Sequence, residues 1–203
     1  MLPPVLKHMK SLGYAVFYGE YNLNLFGIRS PARESNTYDD LIGCAYQEGT
    51  AWRVHYWPAT TDPGKDYLET ASKEWGVSGT AILVPGQYRG AYQLGNHGSS
   101  QYRALVQTGG PVSVYRDANR DSILDADSSS PIEAGWFGLN IHASSMDPYN
   151  ETRDKTNYPV GRWSGGCQVH ATTSGFLEMM QLAELQVYHR GWDKYTYTLL
   201  ESW

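Results

Sequence analysis

Charge and covalent staples are both scarce in this chain. Charged residues make up only 18% of its 203 positions, and the formal net charge is −5. No run of lysine or arginine occurs, so no nucleic-acid partner is expected. Two cysteines, Cys44 and Cys167, are too few for a disulfide framework. Cys44 lies in the mostly apolar "LIGCAYQ", the setting of a buried, inert thiol. No apolar stretch is long enough to span a bilayer, so no membrane insertion is expected. The opening "MLPPVLKHMKSLGY" has no apolar segment of signal-peptide length and carries Lys7 and Lys10. A soluble chain without a leader is expected.

What the chain does have is aromatic. Phe, Trp and Tyr reach 13%, with 16 tyrosines. That composition suits strands and argues against disorder. The length favours one domain over 1–203. A short helix is predicted from Val5 to Leu12, stopped by Gly13. Strands are predicted in "YAVFYGEYNLNLFGIRS", where Asn22 and Asn24 alternate with Leu23 and Leu25. "AWRVHYWPA" reads as a strand stopped by Pro58, and Asp62-Pro63-Gly64 as a turn. Two short strands are predicted around Pro85-Gly86. "YRALVQTGGPVSVYRD" reads as a hairpin turning at Gly109-Gly110, and "GWFGLNIHAS" as an apolar strand ending on His142. One longer helix is predicted after Cys167, capped by Thr172, Thr173 or Ser174 and ended by Gly191. A final strand follows, with Tyr195, Tyr197 and Leu199 on one face. The fold class is mainly β with a few helices.

The stretch "GRWSGGCQVH", Gly161 to His170, places Cys167 behind Ser164, Gly165 and Gly166. A thiol attacks carbonyls well only as thiolate, so it needs a nearby base or positive field. His142 in "GLNIHAS" is the candidate base. Glycines allow a sharp turn and leave amides open to a developing oxyanion, so Gly165 and Gly166 are candidate oxyanion and loop elements. The same residues taken singly are also those of a core histidine and a small buried thiol.

"IHAS…SGGCQV" resembles the signature of the YkuD-like L,D-transpeptidases, across roughly 135–170. The resemblance implies a transpeptidase-like β-sandwich. It implies Cys167 as nucleophile, His142 as base and Ser164 as the residue that shapes the loop, with amides at Gly166 and Cys167 receiving the oxyanion. It also implies acyl transfer on peptidoglycan stem peptides through a thioester, resolved by an amine or by water. Action on the cell wall follows, for a phage lysin, a delivered effector or a processed bacterial enzyme. Three features differ from the family pattern. Gly165 stands where the family has a histidine, no arginine adjoins the cysteine, and the stretch from His142 to Ser164 is long. Its "MDPYNETRDKTN" is a candidate lid. Arg162 or Arg153 would then bind the substrate carboxylate. Trp163, Tyr92 and His97 would help line the groove, and His97 would replace the missing histidine.

Other readings remain open at this level. His142, Cys167 and His170 suit a zinc-dependent hydrolase, with a fourth ligand to come from Asp147, Asp154 or His97. A non-enzymatic wall-binding or virion structural domain of the same fold would keep the residues without the chemistry. "DANRDSILD" places Asp117, Asn119, Asp121 and Asp125 in the alternation of a calcium loop. Ser122 stands there at the glycine position and no Glu occupies the twelfth place. An Asp/Asn-rich hairpin tip accounts for the same letters. No other cofactor is expected.

Overall fold

Alternation of apolar and polar side chains sets the strands, and their pairing decides where the candidate residues meet. The computed structural model describes residues 1–74, 79–98, 102–125 and 130–202. In chain order the strands are β1 (Asn24–Arg29), β2 (Asp40–Glu48), β3 (Ala51–Thr60), β4 (Thr80–Leu83), β5 (Gly86–His97) and β6 (Tyr102–Val106). They continue with β7 (Val112–Asp117), β8 (Ile132–Gly135), β9 (Ile141–Ala143), β10 (Gln168–His170) and β11 (Lys194–Glu201). The helices are α1 (Pro4–Ser11), α2 (Lys65–Glu74) and α3 (Thr173–Arg190).

Eight strands close into a barrel in the order β1-β11-β5-β6-β9-β10-β3-β2, and β4-β7-β8 form a separate small sheet. The expected sandwich is therefore not what forms. The three-residue strands β9 and β10 pair in parallel and join β6 to β3, while β1 pairs in parallel with β11. Those links remove the free edges that two facing sheets would keep.

The core has two sides. Leu25 points into the main cluster with Tyr92, Tyr195, Tyr197 and Leu199. Phe26, next in sequence, points outward to a second cluster with Ala45 and Leu200, covered by Val5, Leu6 and Met9 of α1. Burying both faces explains why β1 does not alternate between buried and exposed. Each of those α1 side chains contributes roughly 2 kcal/mol by leaving water. Helix α3 is capped by the Thr172 hydroxyl, which accepts from Gly175 N, and ends at Gly191 in the left-handed conformation. Its Phe176, Met179, Met180 and Ala183 join the main core. Tyr188, near the end of the same helix, is exposed.

Several local expectations are corrected. Pro58 does not stop β3, which runs to Thr60. The Pro58 carbonyl accepts from Ala171 N at 2.9 Å, so its ring nitrogen faces the side where β10 has ended and no ladder bond is lost. β6 and β7 do not form a hairpin, because β6 pairs within the barrel and β7 within the small sheet. Gly109 instead lies against β5, where a Cβ would stand 2.0 Å from Gly90 O. The apolar segment at 135–144 is mostly a loop between β8 and β9, and His142 sits in the middle of β9 and does not end it. Helix α2 follows the Asp62-Pro63-Gly64 turn and had no counterpart in the sequence reading.

Candidate active site

The loop between β8 and β9 is the structural base of the site, and one side chain organises it. Gln107, at the end of β6, is buried. Its Oε1 accepts from Phe137 N at 3.0 Å and Leu139 N at 3.1 Å, while its Nε2 donates to Gly135 O at 2.9 Å and Gly110 O at 3.2 Å. The loop so fixed reaches the Cys167 sulfur from two sides. The thiol lies 3.6 Å from Gly138 O, to which it can donate. Asn140 offers the sulfur its backbone N–H.

The loop that carries Cys167 is shaped by Ser164, which is buried. Its hydroxyl donates to Cys167 O at 2.8 Å and accepts from Gly166 N at 3.2 Å. Ser164 O also accepts from Gly64 N at 2.8 Å, ahead of α2. Gly166 adopts φ +113°, and a Cβ there would stand 2.4 Å from Ala81 O and 2.9 Å from Leu139 Cδ2. The second glycine is thus required by backbone conformation and by space. Because the Gly166 amide is already used by Ser164, it is not available to an oxyanion. Gln168 continues inward as a buried anchor, accepting from the Tyr197 hydroxyl at 3.0 Å and donating to Thr61 O at 3.3 Å.

His142 is held from the opposite wall. Val169 of β10 pairs with it in parallel register. Its Nδ1 lies 2.9 Å from Ala143 O, an acceptor only, so Nδ1 carries the proton and Nε2 is the basic nitrogen. The Tyr102 hydroxyl donates to the same carbonyl at 3.3 Å. His97 stacks on His142, with ring centres 4.0 Å apart and planes inclined by 20°. Asn140 Oδ1 accepts from Gln107 N at 2.9 Å, so its Nδ2 is what donates to His97 Nδ1, at 3.1 Å. Burial first, and the neighbouring His97 and His170 imidazoles after it, pull His142 down to about 3. Burial pushes the Cys167 thiol up to about 11, against the opposing effect of the Asn140 amide. The resting pair is a neutral thiol and a neutral imidazole.

Cys167, His142, His97, Gly165, Arg162 and Trp163 all line one cavity of about 300 Å³, floored by Phe137, Gly138 and Leu139. A neighbouring cavity of about 400 Å³ shares His97, His142, Arg162 and Trp163 and is closed by Tyr102, Ser145 and Met146. Together they make a cleft with the thiol in one lobe. Arg162 lies over the Tyr67 ring at 5.1 Å. Arg153 is instead paired with Glu151 at 2.7 Å. Of the candidate lid, Met146 lines the cleft. Farther along, Lys155 N bonds to Ala171 O at 2.8 Å and Thr173 N to Arg153 O at 3.0 Å, which ties that part to the start of α3.

Two expected site residues lie elsewhere. Tyr92 is fully buried in the barrel and packs edge-on against Tyr197, so it does not line a groove. Its position on β5 faces the core because the strand alternates about Tyr195 and Tyr197 of β11. His170 is fully buried against Trp57 and Phe176, with Nε2 at 3.3 Å from the Met179 sulfur. It turns toward α3 and is not among the residues lining the thiol cavity. Among the described residues, no group of three His, Cys, Asp or Glu is arranged to hold a metal ion. Gln107, Asn140, Gly138 and Tyr102 were not anticipated. A lone glutamine before a Thr-Gly-Gly turn carries no sequence signal for four loop contacts. Among the described residues, no helix is long and apolar enough to cross a membrane. No protein-family model, curated protein or solved structure matches the chain.

Proposed function

We propose that this protein is a cysteine acyl-transferase acting on peptidoglycan stem peptides, with Cys167 as nucleophile and His142 as base. Its chief support is the shared cleft. Cys167 and His142 line the same cavity, and the Ala143 carbonyl at Nδ1 leaves Nε2 as the basic nitrogen of the imidazole. The assignment of the peptidoglycan substrate rests on the motif resemblance, and the cleft adds Arg162 as the cation for a stem-peptide carboxylate.

The chemistry follows from the neutral pair. As Cys167 Sγ bonds to the carbonyl carbon, its proton passes to His142 Nε2. The tetrahedral oxyanion takes the Cys167 amide, because the Gly166 amide is spent on Ser164. Collapse breaks the C–N bond, and the leaving amine takes the proton from His142. An amine or water, deprotonated by His142, then attacks the thioester and regenerates the thiol. Tyr102 and His97 keep the imidazole in place during both steps.

Digestion of purified peptidoglycan, with muropeptides read by mass spectrometry, tests the proposal. Wild type yields new 3–3 linkages if an amine is the acceptor, or shortened stems if water is. Cys167→Ala and His142→Ala yield neither. Unchanged muropeptides with wild type sink the assignment of substrate.

A further inference from the structure

A separate cavity of about 480 Å³ shares no lining residue with the thiol cleft. Gln186 of α3 lines it and is buried. Its Oε1 accepts from Leu23 N at 3.1 Å, and its Nε2 donates to Lys194 O at 3.1 Å. One side chain so ties the segment before β1, helix α3 and the start of β11. Phe17 is held by Asn24, whose Oδ1 accepts from Phe17 N at 2.7 Å and whose Nδ2 donates to Phe17 O at 2.9 Å. Across β5 and β11, Gly90 N donates to Thr196 Oγ1 at 3.1 Å. Trp192 follows directly on Gly191, the left-handed residue that ends α3. The walls are thus built by bonds within the fold, as in a preformed binding site.

Those walls carry charge of one sign. Arg89 and Lys194 line the cavity and no acid does, in a chain whose net charge is −5. Among the described residues neither side chain makes an ion pair or a hydrogen bond. Arg89 lies over the Phe17 ring at 5.9 Å. Asp193, next to Lys194 in sequence, is not among the lining residues. Beside the two cations stands Trp192, 47% exposed, with Arg190 over its ring at 5.3 Å. An indole left half in water gains little within the fold, and a ligand that covers it gains apolar burial.

We propose that this cavity binds an acidic polysaccharide chain, with one sugar ring against Trp192 and its anionic group on Arg89 and Lys194. The C–H face of a sugar ring is apolar and lies flat on an indole, while its hydroxyl edge takes polar partners, here Asn22 and Thr196. The planar fork of Arg89 matches a carboxylate or a phosphate by two parallel N–H bonds, and Lys194 adds a point charge. A chain suits the site better than a free sugar because Trp192, Arg89 and Lys194 are all exposed, so the cavity is an open groove. A nucleic-acid strand also offers sugars, rings and anions, but it is held by cations that track its backbone, and two cations make no track. The site stands whether or not Cys167 is catalytic.

Calorimetric titration of the full chain at low salt tests the proposal with two probes. Hexagalacturonate carries a carboxylate on every ring, and purified wall teichoic acid carries phosphates. At least one should bind saturably, with a Kd on the order of 0.1–1 mM, and the one that binds identifies the anion. Trp192→Ala and Arg89→Gln change exposed side chains and should keep the wild-type melting temperature. Each should weaken binding at least about tenfold. Cys167→Ala should bind as wild type does, which separates this groove from the thiol cleft. Absence of saturable heat with both probes overturns the proposal. So does wild-type affinity in Trp192→Ala or in Arg89→Gln, or lost binding in Cys167→Ala. Equal binding of polyglutamate or of single-stranded DNA would mean charge attraction alone and would overturn it as well.

Discussion

Replacing Gln107 with leucine keeps the volume and removes four contacts to backbone. Leu139 N lies in a buried position, and the other three partners are part-buried and able to recruit water. One fully stranded donor costs about 1–3 kcal/mol and each of the other three about 0.5–1.5 kcal/mol, for a total near 5 kcal/mol. In a domain of this size that lowers the melting temperature by about 10–20 °C. Glutamate at 107 is the control. It can still accept from Phe137 N and Leu139 N but loses both donated bonds, so its loss should be intermediate. Urea unfolding of the three proteins gives the comparison. The loop that Gln107 holds also contacts the Cys167 sulfur, so the leucine variant should change the rate of Cys167 alkylation while Cys44 stays inert. A stability loss under about 1 kcal/mol in the leucine variant would show that the four bonds are replaced without cost and would refute the role given to Gln107.

Gly166→Ala should abolish activity and destabilise by at least 2 kcal/mol or so, because the left-handed backbone and the Ala81 carbonyl both exclude a Cβ; circular dichroism melts and the muropeptide assay read the two effects. His170, pulled down to about 3 by burial, stays neutral in the fold while the unfolded chain protonates it near 6.5. Its stabilising contribution is therefore complete above about pH 6.5 and is lost as pH falls toward 3, by up to about 1.4 kcal/mol per pH unit. His170→Gln should remove that slope relative to wild type. Comparing the two proteins by urea unfolding at pH 7 and pH 4.5 cancels Asp40 and Asp62, whose raised carboxyls act in the opposite direction. Equal slopes would contradict a neutral, buried His170.

Much of the fold was legible where the signal lies within one element. The final strand, the long helix with its Thr172 cap and the inert Cys44 followed from period, caps and context. Legibility failed where pairing partners lie far apart in sequence. β6 and β7 look like a hairpin locally, yet Leu105 of β6 pairs with Ile141, and β7 pairs with β4 and β8. Nothing in a local window encodes that choice. Tyr92 failed for the same reason, because strand alternation fixes faces only once the neighbouring strand is known. At the site, the chemistry-bearing residues stood out by type, whereas Gln107 and Asn140 are ordinary polar residues whose importance lies in long-range bonds to backbone and to His97. The acid-rich stretch after β7 is the reverse case. Its letters alternate as in a calcium loop, yet among the described residues its acids are not arranged to hold a metal ion, and Asn119 Nδ2 donates to Asp121 Oδ2 at 3.0 Å.

The neutral resting pair bears on how Cys167 should be probed. With burial pushing the Cys167 thiol up and pulling the His142 imidazole down, proton transfer between them in the empty cleft is unfavourable. An ion pair is then essentially unpopulated before substrate arrives, and the sulfur must lose its proton while the S–C bond forms. Alkylation by iodoacetamide, which offers no oxyanion to stabilise, should be slow at pH 6 and rise about tenfold per pH unit toward pH 10. Cys44, fully buried with its thiol pushed well up, should not react in the folded protein. His142→Ala should leave the alkylation profile nearly unchanged while abolishing turnover, since the imidazole acts only once a carbonyl is bound. A pH-independent plateau of fast alkylation between pH 5 and 7 would instead mark a preformed thiolate–imidazolium pair and would refute the neutral resting state.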